Sequence, residues 1–275
     1  MSVSRDELLK EVDTVCAAHR QQGSLVQCLT NPVVPQFTAN VLLAAGASPA
    51  MCDNTHEAAE FCAIADAALV NLGNPTGDQL EAMNIVAECA AAAHSPWVMD
   101  PVAVGVLSYR TKFAKDLLRF APTAIRGNAS EISALAGVGA GGRGVDSTDS
   151  SLDAIDAARQ LAAITGGIVA ASGAVDVIVS RDTTITVSGG HPLMTLVVGT
   201  GCSLGALVAS YLGAARRAGC SDLSAVVAAH AHAKAAGAYA AEQTTLPGSF
   251  AAAYLDGLYV VARDGFGKTV TIDQP

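Results

Sequence analysis

Gly199-Thr200-Gly201-Cys202-Ser203-Leu204-Gly205 is the stretch on which the reading of this chain turns. Two glycines bracket a threonine, and Leu204, Leu207, Val208, Tyr211 and Leu212 then recur at helical spacing. A glycine-rich turn that opens a helix leaves backbone N–H groups unpaired and pointing outward, and the aligned peptide dipoles add partial positive charge there. Such an end suits an anion such as phosphate. The N–H groups from Gly199 to Cys202, with Gly201 at their centre, form the expected anion hole. Cys202 falls in the first helical turn, where a thiol pKa is expected below its usual ~8.5. A polarisable thiol beside an anion cradle points to chemistry on a phosphoryl group; taken alone, a cysteine is more often a small core residue than a reactive one.

Working outward, residues 192 to 215 carry no charge, a length that would span a bilayer. The glycine turn would break such a span near its middle and no aromatic belt flanks it, so a buried helix of a soluble protein is expected. The whole chain of 275 residues is 51% hydrophobic and only 15% charged, which readily supplies a large core. Aromatics make up 4%, favouring close-packed helices over an aromatic-rich sandwich. A net charge of −9 argues against a nucleic-acid partner, since phosphate backbones require basic patches. The seven cysteines are odd in number and form no C-x-x-C, the usage of a reducing compartment without a disulfide frame. The N-terminus reads as a charged amphipathic helix rather than a signal peptide, so a cytoplasmic protein is expected.

Along the chain, strand-like and helix-like segments alternate. Ser4 to Glu7 and Thr76 to Gln79 are capping boxes, opening helices that run to about Gln22 and Ala93. Strands are expected at 24–29, 68–72, 97–100, 123–126 and 168–172, with a hairpin at 175–180 and 183–188. Helices are expected at 37–45, 55–65, 111–120, 130–135, 151–163, 223–242 and 250–262, besides the one opened at Gly199. Gly137 to Ser150 reads as a surface loop. This order predicts an α/β class, a mainly parallel central sheet flanked by helices, in one domain spanning 1–275.

In open parallel sheets, ligands bind beyond the carboxyl ends of the strands. The polar residues at those expected ends are Asn31, Asn71, Asp100, Arg126 with Asn128, and Ser172. Asp100 and Glu131 are two carboxylates that could hold Mg²⁺ against a nucleotide polyphosphate, or act as a turn residue and a helix cap. Arg126 would either fork onto a phosphate or close a surface ion pair. His230 and His232, two apart on a helix, face different sides and make a poor metal pair. No P-loop is present.

Several stretches together carry a resemblance: Thr30-Asn-Pro-Val-Val-Pro-Gln-Phe-Thr-Ala-Asn40, Gly46-Ala-Ser-Pro-Ala-Met51, Asp100-Pro-Val-Ala-Val-Gly105, Arg126-Gly-Asn-Ala-Ser-Glu131, Gly173-Ala-Val-Asp176 and Gly199-Thr-Gly-Cys202. In this order and spacing the chain resembles the hydroxyethylthiazole kinases of thiamine salvage, which are ribokinase-like. The likeness covers nearly the whole chain. Its most specific mark is Cys202, where most sugar and pyrimidine kinases of the superfamily have Asp.

The resemblance implies ATP-dependent phosphorylation of the primary alcohol of 4-methyl-5-(2-hydroxyethyl)thiazole by a homotrimer with active sites between subunits. By motif it gives Cys202 the catalytic place, Met51, Gly199 and nearby Asn31 the thiazole, Arg126 and Ser172 the ATP, and Asp100 and Glu131 the Mg²⁺ region. Five positions depart from the family's usual residues: Ser172 stands for Thr, Gln36 for Asn, Ala103 for Gly, and Leu196 and Val198, in Thr195-Leu-Val-Val198, for the Lys and the last Thr of Thr-Lys-Val-Thr. Val198 offers no side-chain hydrogen bond to a phosphate. The rival readings are a kinase of another small alcohol such as hydroxymethylpyrimidine, a dehydratase of hydrated nicotinamide nucleotide on the same fold, and a non-catalytic thiazole- or nucleotide-binding protein.

Overall fold

The computed structural model describes residues 4–138 and 150–275. Helix α1 (Arg5–Gln21) leads into strand β1 (Leu25–Leu29), α2 (Pro35–Ala45), β2 (Ser48–Ala50), α3 (Ala58–Cys62) and β3 (Ala67–Asn71). Then come α4 (Gly77–Ala93), β4 (Trp97–Asp100), α5 (Ser108–Leu117), β5 (Ala124–Asn128), α6 (Ala129–Ala136), α7 (Ile155–Thr165) and β6 (Ile168–Ser172). The hairpin β7 (Val175–Val179) and β8 (Thr184–Ser188) precedes α8 (Thr200–Ala218), α9 (Asp222–Gln243), α10 (Pro247–Asp264) and β9 (Thr271–Asp273). Most of the loop expected at Gly137–Ser150 lies outside the described residues.

One nine-stranded sheet runs β2-β1-β3-β4-β5-β6-β7-β8-β9. It is parallel from β2 to β6 and antiparallel from β6 to β9. The central parallel strands β3 and β4 are buried on both faces, so they read as near-continuous apolar runs. Their side chains divide with period two. Leu69, Val98, Ala124, Ala170 and Ile178 join the core under α1, α2, α8, α9 and α10, while Val70, Met99, Ile125, Val169 and Val177 join the core under α4 to α7.

Both capping boxes form as expected, at Ser4/Glu7 and Thr76/Gln79. A third joins Asn128 and Glu131 at the start of α6. The expected helix at 55–65 shortens to Ala58–Cys62 because the Asn54 side chain accepts the His56 N–H and builds a turn first. The short edge strands β2 and β9 are unheralded in the sequence, since three residues carry no usable periodicity. Among the described residues no helix is long and apolar enough to cross a membrane.

Candidate active site

Period two also decides which polar residues meet. Continuing the alternation from Leu69, Val98, Ala124, Ala170 and Ile178 puts Asn71, Asp100, Arg126, Ser172 and Asp176 on the face covered by α8 and α9. Asn71 and Asp100 are register partners at the carboxyl ends of β3 and β4. The strand order turns back between β1 and β3, and a reversal of this kind opens a crevice beyond the strand ends. Asn31, just past β1, and Asn71, at the end of β3, border it.

Helix α8 starts over that crevice. Gly199 has φ +98°, where a Cβ would also stand 2.7 Å from Phe37, so only glycine turns the chain there. Further along, a Cβ on Gly205 would stand 2.8 Å from Leu69, and this close approach seats the helix start on β3 beside Asp100. A Cβ on Gly201 would meet only the Arg126 guanidinium, at 3.6 and 3.7 Å. The bare Cα therefore leaves the helix N-terminus and an arginine facing one space.

A chain of side chains runs across the strand ends. The Asn31 amide nitrogen donates to the Cys202 thiol sulfur (3.4 Å) and to Asn71 Oδ1 (3.1 Å). Asn71 Nδ2 donates to Asp100 Oδ2 at 2.7 Å. Arg126 donates through Nη1 to the same oxygen at 3.4 Å and through Nε to Ser172 Oγ at 3.1 Å. Asp100 is buried, and that burial, against the pull of Arg126 and with the added charge of Glu131, raises its pKa to about 7. Burial works against the charge of Arg126 too, but Asp100 and Glu131 hold it protonated.

The thiol differs from the expectation drawn from its helix position. Burial first, and then the charge of Asp100, raise the Cys202 pKa above its usual range, although Arg126 and the amides of Asn71 and Asn31 pull the other way. Desolvation outweighs the helix-end field here.

Glu131 is engaged on both oxygens: Oε2 accepts the Asn128 N–H and Oε1 the Ala103 N–H, each at 2.9 Å. The helix-cap alternative is thus realised, and the same carboxylate pins the loop after β4, where Ala103 adopts φ +62°. That conformation is why glycine is common at this place in the resembled family. Asp100 Oδ1 accepts no hydrogen bond from a described residue. Among the described residues no cluster of three or more His, Cys, Asp or Glu stands ready as a metal cage. One free carboxylate oxygen beside a second carboxylate fits Mg²⁺, which is usually held by one or two carboxylates together with substrate phosphates and water.

Met51 lies just past edge strand β2, 36% exposed, and makes none of these hydrogen bonds. Leu196 and Val198, which replace polar residues of the resembled pattern, are 64% and 68% exposed beside the glycine turn. His230 and His232 are both fully buried and bonded in different directions, to Asp176 and to Tyr211 with Leu258. Asn71 was legible as a strand-end residue but not as the hub between Asn31 and Asp100. Lys234, joined to Asp176, gave no signal beyond one charge in an alanine-rich helix.

The comparisons with known proteins point to one family. A family model described as the hydroxyethylthiazole kinase family matches residues 17–264. A hydroxyethylthiazole kinase of Corynebacterium glutamicum is 56% identical over 92% of this chain and 94% of its own length. One from Klebsiella pneumoniae is 51% identical over 92% and 97%. The solved structure of the Pyrococcus horikoshii hydroxyethylthiazole kinase protein superposes with a TM-score of 0.85 at 29% identity, covering 97% of this chain and 99% of that one. The Staphylococcus aureus pyridoxal kinase in complex with ADP shares the fold alone, with a TM-score of 0.61 at 16% identity, covering 91% and 98%. A helix N-terminus, a thiol and an arginine gathered at a sheet's switch point, together with this likeness over nine-tenths of its length, make the chain a member of the hydroxyethylthiazole kinase family.

Proposed function

We propose that this protein transfers the γ-phosphoryl group of ATP to the hydroxyl of 4-methyl-5-(2-hydroxyethyl)thiazole, acting as one domain. The observation that carries the reading is that the bare Cα of Gly201, one residue before Cys202, leaves the α8 N-terminus facing the Arg126 guanidinium with no side chain between them. Phosphoryl transfer asks mainly for positioning and charge neutralisation, and this space offers both. The N–H groups of Gly201 and Cys202 and the Arg126 guanidinium receive the phosphoryl oxygens, the Thr200 N–H being turned back to the Val197 carbonyl; Ser172 holds Arg126 in place through its Nε. Asn31 orients the thiol. Gly199 and Met51 border the acceptor.

The alcohol oxygen bonds to the γ-phosphorus as the bridging P–O bond to ADP breaks, and the hydroxyl proton passes to the Cys202 sulfur. The thiolate that accepts it is a minority species at neutral pH, because burial and Asp100 raise the thiol pKa. Cys202 is therefore a weak contributor and turnover is slow. Asp100, with Glu131 beside it, is the residue that would hold Mg²⁺, which when bound supplies neutralisation of the polyphosphate charge.

The direct test is ADP release with the thiazole alcohol, with hydroxymethylpyrimidine, and with neither, each with and without Mg²⁺. Release dependent on the thiazole alcohol and on Mg²⁺ is expected. Preference for the pyrimidine, or binding without release, overturns the reading. Gly201→Ala sharpens it: the added methyl makes ordinary contact with Arg126 and leaves the fold intact, but fills the space, so activity should fall at least tenfold at unchanged thermal stability. Resemblance to the family further supports a homotrimer with intersubunit sites, and the exposed Val33, Leu196 and Val198 offer apolar surface for one. Sedimentation at a single-chain mass would overturn the trimer. Seven free thiols fit a cytoplasmic setting.

A further inference from the structure

Behind Ser172 lies a second group of buried charges that the transfer itself does not use. Lys234, in the middle of α9, is 6% exposed. Its ammonium has three donors and three partners: Gly173 O at 3.0 Å, Ala174 O at 3.1 Å and Asp176 Oδ1 at 3.2 Å. Asp176, in turn, accepts the Gly173 N–H at 2.9 Å through Oδ1 and binds His230 Nδ1 at 2.7 Å through Oδ2. The whole two-residue turn between β6 and β7 is thus tied to one cation and one carboxylate. Ser172, the last residue of β6 before that turn, accepts from Arg126. The methylene stem of Lys234 runs beside Gly190 and Gly189, at the start of the loop that leads to Gly199.

We infer that Lys234 is a positioning residue for the nucleotide, its ammonium setting the Gly173–Ala174 turn so that Ser172 holds Arg126 toward the phosphate space. The inference rests on the ATP-dependent kinase reading. Two adjacent carbonyls aimed at one point repel each other unless a donor sits between them, and no other described side chain donates to either. Removing the ammonium releases the turn and leaves Asp176 with His230 and a single N–H. The effect travels through Ser172 to Arg126, on the nucleotide side. The acceptor side is reached only by the stem, and methionine preserves an unbranched apolar stem of similar length.

Lys234→Met is therefore the informative variant. It should raise KM for ATP and weaken equilibrium ADP binding about tenfold, which is about 1.4 kcal/mol. KM for the thiazole alcohol should stay within about twofold. Unchanged ADP affinity overturns the inference, and so does a parallel rise of both KM values, which marks general loosening. If the methionine variant does not fold, Lys234→Gln, whose amide can serve one carbonyl, carries the same ATP-against-alcohol comparison with the same two overturning results. A wild-type protein that binds ADP but releases none with the alcohol defeats the kinase reading instead; ADP titration of the variant still decides the role of Lys234.

Discussion

Helix α8 passes through two regions that both bury polar groups and treat them in opposite ways. At its start, Cys202 meets Asn31, Asn71, Asp100 and Arg126, a set containing full charges and an unused carboxylate oxygen. About 13 Å further along its axis, at 1.5 Å per residue, Ser210 and Tyr211 meet His19 and His232 in a closed neutral set. His232 Nε2 must donate to the Leu258 carbonyl, so its Nδ1 accepts the Tyr211 hydroxyl proton at 2.9 Å. His19 bonds Ser210 and stacks on Tyr211 with ring centres 4.3 Å apart. A cavity of about 270 Å³ adjoins this second set, lined by Cys16, His19, Tyr211 and Phe266 among others. It lies away from the strand ends, so space alone does not mark the site. What marks it is charge left with bonding capacity to spare, because buried charge is costly unless something completes it.

The largest test of the contrast is removal of Arg126. Arg126→Leu takes away the cation that faces Gly201 and supports Asp100, and kcat/KM should fall by about 10²–10³, the cost typical of one preorganised anion donor. Cys202→Ala comes next. Single-turnover phosphorylation should slow by about 10², the low end for a positioned proton acceptor, and the wild-type rise of rate with pH should flatten. An unchanged rate would leave the thiol as packing.

The pH dependence of stability separates the two regions by sign. The folded Asp100 carboxyl keeps its proton to about 7, whereas unfolded it releases it near ~4. Between those values the folded state binds the extra proton, so this group's contribution to stability falls as pH rises. The buried imidazoles of His19 and His232 are pushed down by burial to about 3 and about 4. Their unfolded value is ~6.5, so in this window the unfolded state binds the extra protons and their contribution rises with pH. Urea midpoints measured across the shared window should therefore climb more steeply with pH in Asp100→Asn. The climb should weaken in His232→Gln, each group carrying at most about 1.4 kcal/mol per pH unit. Identical profiles in both variants would refute the contrast. The smallest expected effect is in the loop pinned by Glu131. Ala103→Gly relieves a residue held at φ +62° and should stabilise by about 1 kcal/mol in thermal or urea unfolding.

The parallel order of strands and helices was legible because capping boxes, apolar runs and glycine stops are local signals. Residues at strand ends such as Asn31, Asp100, Arg126 and Ser172 could be named from the same signals. The state of the Cys202 thiol could not: a helix end lowers a thiol pKa, and only the burial around it shows that desolvation wins. Nor could the second role of Glu131, since its bond to Ala103 joins residues twenty-eight apart. His230 reads only as half of a poor metal pair and Lys234 carries no signal in the sequence, because their partner Asp176 lies more than fifty residues away.

By itself, then, the sequence determined the class of fold, the helix that opens at Gly199 and the polar residues that end the strands, since backbone geometry, caps and periodicity act over a few residues. Tertiary structure alone decided which of those residues touch, which charges are buried and which bonding capacity is left open. Those outcomes depend on the packing of segments far apart in the chain and on the water that packing removes.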